Sequence, residues 1–332
     1  MPSSAVRTFS DPDDFAASLA QARVELTVTG RGRYAAKLTR VLLHRLRIHR
    51  VSKNVPAICH ATMLHGQSVI QFLTVPGPSL YTAGLEMLPN NIVRHSPFDE
   101  YHQRSSGSTS VGRVALPVED LAEIWGTLGG GDLKPPLDAT LITPLPAAMR
   151  KLQRLHAAVG DLAENAPEII ANPGAARGLE QALMEALVGC FAYREEHRNG
   201  LAHVQHALVM RRFRRVLEEN PEGPLFIPDV CAAIGVSERT LRTCCQEHLG
   251  MSPKRYLVLR RMSLAQRALR AAEPGATSVT AIGTRYGFWE LGRFAVEYQA
   301  RFGESPSATL RRPSDSPPIH LPKLRSQDEA RQ

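Results

Sequence analysis

Apolar and polar positions change their period twice along the chain. Residues 1–22 show no clear period and predict a loose lead-in with one short helix, Asp13 to Arg23. From residue 24 the pattern alternates. Val24, Leu26 and Val28 stand between polar neighbours, and Gly30, Arg31 and Gly32 mark a turn. The runs AAKLTRVLLHRLRIHRV, PAICHATML, SVIQFLTV and VGRVALP are short and partly alternating, with Gly, Pro and Ser clusters between them. That pattern predicts an antiparallel β domain ending near Pro117. A helix over LPVEDLAEIWGTL and a flexible break at GGGDLKPPLD come next. Two helical stretches follow, at about 144–164 and 174–197. Leu179, Leu183, Ala186, Leu187, Cys190 and Phe191 fall on one face of the second. This stripe leaves two readings open: packing on its own domain, or a homodimer contact.

Beyond residue 225 the pattern becomes one of short helices with sharp corners. Asp229 is placed to cap a helix whose apolar side is Val230, Ala233 and Ile234. Gly235 permits the left-handed backbone that ends it, and Val236 plugs the corner. Ser237 caps a second helix, with Leu241, Cys244, Cys245, His248 and Leu249 toward its buried side. Two short helices crossing steeply are the pattern of a helix-turn-helix. The design returns about fifty residues later. Ser278 or Thr280 starts a helix, Gly287 turns it, and Phe288 fills the corner. Phe294, Tyr298 and Phe302 then form an i, i+4, i+8 stripe, closed by Gly303 and Pro306. Between the units, Ser252 and Pro253 open a helix of about 20 residues, roughly 30 Å long. Tyr256, Leu259, Met262 and Leu269 are its apolar side; Lys254, Arg255, Arg260, Arg261, Arg267 and Arg270 are the basic remainder. A rod of that length spans about one turn of B-DNA, roughly 34 Å, and suits two reading helices in successive major grooves.

Charge sharpens this picture. The 332-residue chain has a formal net charge of +8. Residues 209–312 hold 17 Lys+Arg against 10 Asp+Glu, so nearly all the excess lies in the C-terminal third, as suits a polyanion partner. The outward face of the first unit carries Ser237, Glu238, Arg239, Thr240, Arg242, Thr243 and Gln246. Arg and Gln reach guanine and adenine edges bidentately; Ser and Thr suit phosphates or base edges. In the second unit the candidates are Trp289, Glu290, Leu291, Gly292 and Arg293. Flanking Arg211, Arg212 and Arg285 suit phosphates.

The segments GVSERTLR, GMSPKRYLVLRR and GFWELGRFAVEYQARFGESPSATLR resemble the AraC/XylS family of transcription regulators, over about residues 208–312. The last segment looks most like the branch of ethanolamine-operon regulators. The resemblance implies a sequence-specific DNA-binding regulator with promoter DNA and RNA polymerase as partners. It also implies a cupin-like N-terminal barrel that takes a small-molecule effector or makes dimer contacts. Two departures bear on packing: Cys245 stands where the family usually has Phe, and Gly283 where Ala is usual.

The expected fold class is therefore α+β: an antiparallel β domain over 1–140, a helical linker or dimerisation segment over 141–205, an all-α double helix-turn-helix over 206–312, and a disordered tail over 313–332. The absence of a signal peptide pattern and of an apolar run long enough for a membrane predicts a cytoplasmic, nucleoid-associated protein. No cofactor or metal is expected. His60, His65, His95 and His102 lack clustered ligand spacing, Cys59, Cys190, Cys231, Cys244 and Cys245 contain no C-x-x-C pair, and Gly129, Gly130 and Gly131 read as a hinge rather than a phosphate loop. The rival class is a cupin-type enzyme, or a DNA-repair protein that docks through its C-terminal domain; Cys59 beside His60 is its candidate nucleophile. A general DNA-coating protein is the third.

Overall fold

The computed structural model describes residues 1–19, 22–63, 66–95, 100–120, 139–192, 194–197, 200–273 and 275–312. The expected helix over 116–128 falls mostly outside the described residues, and the Gly129–Gly131 hinge, His65 and the 313–332 tail lie outside them altogether.

Two antiparallel sheets face each other. The larger runs in the order β1 (Ser3–Phe9), β3 (Ala36–Leu42), β4 (Arg47–Lys53), β11 (Thr109–Pro117), β6 (Gln67–Leu73), β9 (Ile92–His95), β12 (Thr140–Pro144), β13 (Arg194–His197). The smaller runs β2 (Ala22–Val28), β5 (Ala57–Met63), β10 (Glu100–Ser105), β7 (Leu80–Thr82), β8 (Leu85–Met87). The two-residue period decides what each face meets. Leu38, Val51, Val69, Val93, Val111 and Ala115 point into the sandwich and join Leu26, Ala57, Cys59, Ala61 and Tyr101 of the smaller sheet. Val41, Ile48, Ile70, Phe72, Val114 and Leu116 point the other way, into helices α2 (Pro146–Asn165), α3 (Pro167–Ala171) and α4 (Pro173–Ala192).

Several expectations change here. Residues 1–22 are not a loose lead-in: β1 pairs with β3 over its whole length, from Ser3 against Leu42 to Phe9 against Ala36. The predicted helix from Asp13 to Arg23 is shorter and earlier. It is α1 (Pro12–Ala17), capped by the Asp11 carboxylate, which accepts from the amides of Asp13 and Asp14 at 2.9 and 3.0 Å. The β region does not end near Pro117, because Thr140–Ile142 extend the large sheet against Ile92–Arg94, and β13 extends it again. The segment 141–205, expected as a helical linker or dimerisation segment, carries β12 and β13 and packs its helices on the large sheet. The apolar stripe on α4 is buried within its own chain, with Leu183, Cys190 and Phe191 in the core beneath the large sheet. The second helical stretch also stops at Ala192 rather than 197.

The remainder is all helical: α5 (Leu201–Glu219), α6 (Ile227–Ile234), α7 (Glu238–Leu249), α8 (Pro253–Ala271), α9 (Val279–Arg285), α10 (Leu291–Phe302) and α11 (Pro306–Leu310). It has two cores. Val230, Ile234, Leu241, Cys245 and Leu249 pack with Phe213 and Tyr256, and Ile58 of β5 joins them from the smaller sheet. Met262, Leu269, Ile282, Tyr286, Phe294 and Tyr298 form the second.

Candidate nucleic-acid interface

The local sequence caps both ends of α7, whereas α10 is closed by Gly303 at its C-terminus and has no side-chain cap at Glu290. α6 begins one turn earlier than expected, with Pro228 in its first turn, and Asp229 lies inside that turn instead of capping it. Gly235 ends it at φ 71°. The Ser237 hydroxyl accepts from the Thr240 amide at 3.1 Å and starts α7, and Gly250 at φ 69° closes it. Glu238, Arg239, Arg242, Thr243 and Gln246 are exposed on the side away from the buried Leu241, Cys245 and Leu249, and Thr240 is half-buried. The Thr243 hydroxyl donates to the Arg239 carbonyl at 3.1 Å. No ion pair among the described residues engages Arg239 or Arg242, so two guanidinium groups project outward with all their donors available.

The second unit is built alike and surfaced differently. Ser278 starts α9, its hydroxyl accepting from the Ala281 amide at 3.0 Å. Gly287 turns at φ 74°, and Arg261 of α8 clamps the turn by donating to the carbonyls of Tyr286 and Gly287 at 3.4 and 3.2 Å. Trp289 and Glu290 precede α10, and Trp289 is 72% exposed. Gly292 and Arg293 are exposed; Arg293 donates to Glu297 one turn on at 2.9 Å. Leu291 turns inward. Its Cδ2 lies 3.0 Å from where a Cβ on Gly283 would stand, so Gly283 is what lets α9 and α10 approach. The absent methyl is therefore a packing feature, and Cys245 likewise fills its site with no exposure. Of the phosphate candidates, Arg212 is exposed and Arg211 half-buried, while Arg285 is paired with Glu222.

The basic side of α8 departs from expectation most. Only Lys254 and Arg255 are exposed. Arg267 donates to Asp13 at 2.8 Å and to the Leu26 carbonyl at 3.3 Å, and Arg270 pairs with Asp11. Glu25 of β2 sits among Arg214, Arg260 at 3.9 Å and Arg267 at 3.5 Å. Burial raises the Glu25 pKa, but the three arginines outweigh it and hold the carboxyl at about 2. These cations face the β domain, not solvent. Arg301 adds a bond to the Val28 carbonyl at 3.0 Å. Asp11, Asp13 and Glu25 went unnoticed in the sequence because acidic residues in a strand and beside a short helix carry no periodic signal.

A second seam gathers histidines. His60 bonds Glu100 at 2.7 Å, and its ring lies 4.9 Å from that of His102. Across from them His203 and His206 bond Glu247 at 3.0 and 2.5 Å, and His248 stacks on His203. Folding brings together what the sequence left isolated, but among the described residues no three groups are arranged to hold a metal ion. Burial pushes the pKa of His102 well below the ordinary range, and that of His248 down to about 4. Cys59 points into the sandwich, away from His60. Burial raises its thiol pKa and leaves the thiol protonated, the opposite of an activated nucleophile.

Residues 230–312 match the family model described as a helix-turn-helix domain. The chain is 36% identical over 150 residues to the "Probable thc operon regulatory protein" of Rhodococcus erythropolis, covering 44% of this chain and 45% of that one. It is 36% identical over 103 residues to "XylDLEGF operon transcriptional activator 1" of Pseudomonas putida, covering 30% and 31%. The chain thus spans less than half the length of either relative. Neither relative supports the expected kinship with ethanolamine-operon regulators. Among solved structures, the AraC-like transcriptional activator CuxR is 16% identical and aligns over 84% of this chain and 99% of its own, with a TM-score of 0.42, too loose a likeness to argue from. Residues 230–312, which hold α7 through α11, are therefore similar to the helix-turn-helix domain family.

Proposed function

We propose that this protein is a sequence-specific DNA-binding transcription regulator of the AraC/XylS type. One observation carries the reading: Arg239, Arg242, Thr243 and Gln246 stand exposed on one face of α7, while Arg214, Arg260 and Arg267 elsewhere in the helical region are bound to the β domain. At 19 residues, α8 is about 28 Å long, near the repeat of B-DNA, so the two units suit successive major grooves on one side of a duplex. Arg239, Arg242 and Gln246 take base edges. Ser237, Glu238, Thr240 and Thr243 flank them, with Ser237 and Thr240 nearest the backbone. Trp289, Glu290, Gly292 and Arg293 meet the second groove, and Leu291 positions that helix from behind.

In this reading the sandwich, residues 1–140 together with the strands and helices of 141–205, is the regulatory unit. It responds to a small-molecule effector or to a second copy of the chain. Residues 206–312 bind DNA, and 313–332 are a tail. RNA polymerase is the partner at the promoter, and the setting is the cytoplasm and nucleoid. The enzyme reading needs a reactive thiol or a metal; Cys59 is buried and protonated, and the relatives are regulators.

The test is a mobility-shift competition with the full chain on fragments from upstream of its own gene, at fixed salt. The regulator reading expects one fragment to resist a large excess of unrelated DNA. Equal displacement by every competitor leaves a general DNA-coating protein instead.

A further inference from the structure

We propose that the second helix-turn-helix unit reads thymine through its methyl group, with Val296 as the specificity-determining contact. This rests on the DNA-binding reading above. The second helices of the two units share their buried positions and C-terminal caps in one register. Leu241 corresponds to Phe294, Cys245 to Tyr298 and Gly250 to Gly303; each pair occupies the same core or cap role. Ser252 with Pro253 and Ser305 with Pro306 start the following helix in both units. The register leaves no freedom in the outward positions. Arg239 of the first unit becomes Gly292, Arg242 becomes Ala295, Thr243 becomes Val296, and Gln246 becomes Gln299.

Two guanidinium groups and a hydroxyl are thus replaced by hydrogen, methyl and isopropyl. At these three positions donors and acceptors give way to apolar contact, while Gln299 is kept and Arg293 stands where the first unit has Thr240. Val296 is 70% exposed although valine, branched at Cβ, is a poor choice for an open helix position. Gly292 has nothing within 4 Å of the place its Cβ would occupy, so the fold itself does not require a glycine there. A glycine in a first turn facing open space suits close approach of backbone to a partner. Brought that close to the floor of a major groove, the isopropyl group of Val296 meets the one apolar feature displayed there, the C5-methyl of thymine. Trp289, just before the helix, is a second exposed apolar side chain of this unit.

The experiment removes that methyl and nothing else. A tight duplex is first selected from random DNA with the full chain, and footprinting assigns the half covered by the second unit. Each thymine in that half is then replaced singly by deoxyuridine. At one or two positions the wild-type Kd rises about three- to fivefold, the worth of one buried methyl. Val296→Ala, on an exposed position that leaves the fold intact, binds the thymine duplex more weakly and no longer distinguishes it from the uracil duplex. In a duplex with cytosine at that position, 5-methylcytosine recovers affinity for wild type but not for Val296→Ala. Indifference of wild type to uracil, an undiminished thymine preference in Val296→Ala, or a selected half-site without thymine overturns the proposal. Failure of any sequence to enrich overturns the DNA-reading function as well.

Discussion

Replacing Glu25 by glutamine keeps the shape of the side chain and removes its charge. The carboxylate is 17% exposed and serves three arginines, of which Arg214 and Arg260 are each only 7% exposed. Arg214 keeps Glu218 at 3.2 Å and Arg267 keeps Asp13. Among the described residues Arg260 keeps only the Leu217 carbonyl, at 2.8 Å. The three do not fare equally in the native protein. Arg214 and Arg267 have pKa values raised against the effect of burial, Arg214 chiefly by Glu25 and Arg267 by Asp13 first and Glu25 second; Arg260 has its value lowered, because burial outweighs a carboxylate 3.9 Å away. Arg260 is therefore where the substitution is felt most. The magnitude follows by two routes. Removing one partner of a buried ion pair costs about 3–5 kcal/mol. Lowering the Glu25 carboxyl from 4.5 to about 2 corresponds to about 3 kcal/mol of native-state stabilisation at neutral pH. The assay is guanidinium unfolding followed by far-UV circular dichroism, with limited proteolysis to report separation of the helical region from the sandwich. Glu25→Gln is expected to lose about 3 kcal/mol at pH 7 and to become protease-sensitive where the two meet. Because the folded pKa is depressed, the wild-type advantage is complete above 4.5 and fades as pH falls toward 2. A loss below about 1 kcal/mol, or one that persists unchanged at pH 2, refutes the assignment of Glu25 as the centre of the clamp.

Three further outcomes are expected. The unfolded chain protonates histidine near 6.5, while His248 in the fold waits until about 4 and His102 lies lower still. Their contribution is therefore full above 6.5 and lost as pH falls from there toward 4, by up to about 3 kcal/mol for His248, even though Glu247 draws its pKa upward against His203, His206 and Arg104; a flat stability profile from pH 7 to 4.5 contradicts it. Gly287→Ala places a side chain at φ 74° and its Cβ 2.6 Å from the Arg261 guanidinium, so thermal denaturation should show a loss of at least about 1–2 kcal/mol; an unchanged midpoint counts against the clamped turn. Arg242→Ala should weaken the selected duplex by about 1–3 kcal/mol and relax preference at one base pair of the first half-site. An equal loss on all sequences would make Arg242 a phosphate contact instead.

The helical third was legible because its rules are local. Gly235, Ser237, Ser252, Gly287 and Gly303 act on neighbouring backbone, and each cap or turn falls where its chemistry places it. The sandwich was half legible. Alternation revealed β2 and β5, but β1 is an edge strand with only Phe9 buried, so its pattern carries no period. β12 is far from β9 in sequence, and its place beside β9 is set by tertiary pairing alone. The site divided along the same line. The outward residues of α7 follow from helix geometry. The fate of Arg260, Arg267 and Arg270 does not, because a basic helix face looks the same in sequence whether a phosphate or Glu25 meets it. Asp11, Asp13 and Glu25 claimed it.

The most direct measurement is selection from random duplex DNA by the full chain, read out by sequencing. The two-unit account predicts enrichment of a bipartite sequence with its halves about one helical turn, roughly 10 base pairs, apart. The half lost on Arg242→Ala should be rich in guanine or adenine contacts, and the other should retain its thymine. No enrichment, or a single uninterrupted half-site that Arg242→Ala leaves unchanged, would contradict it.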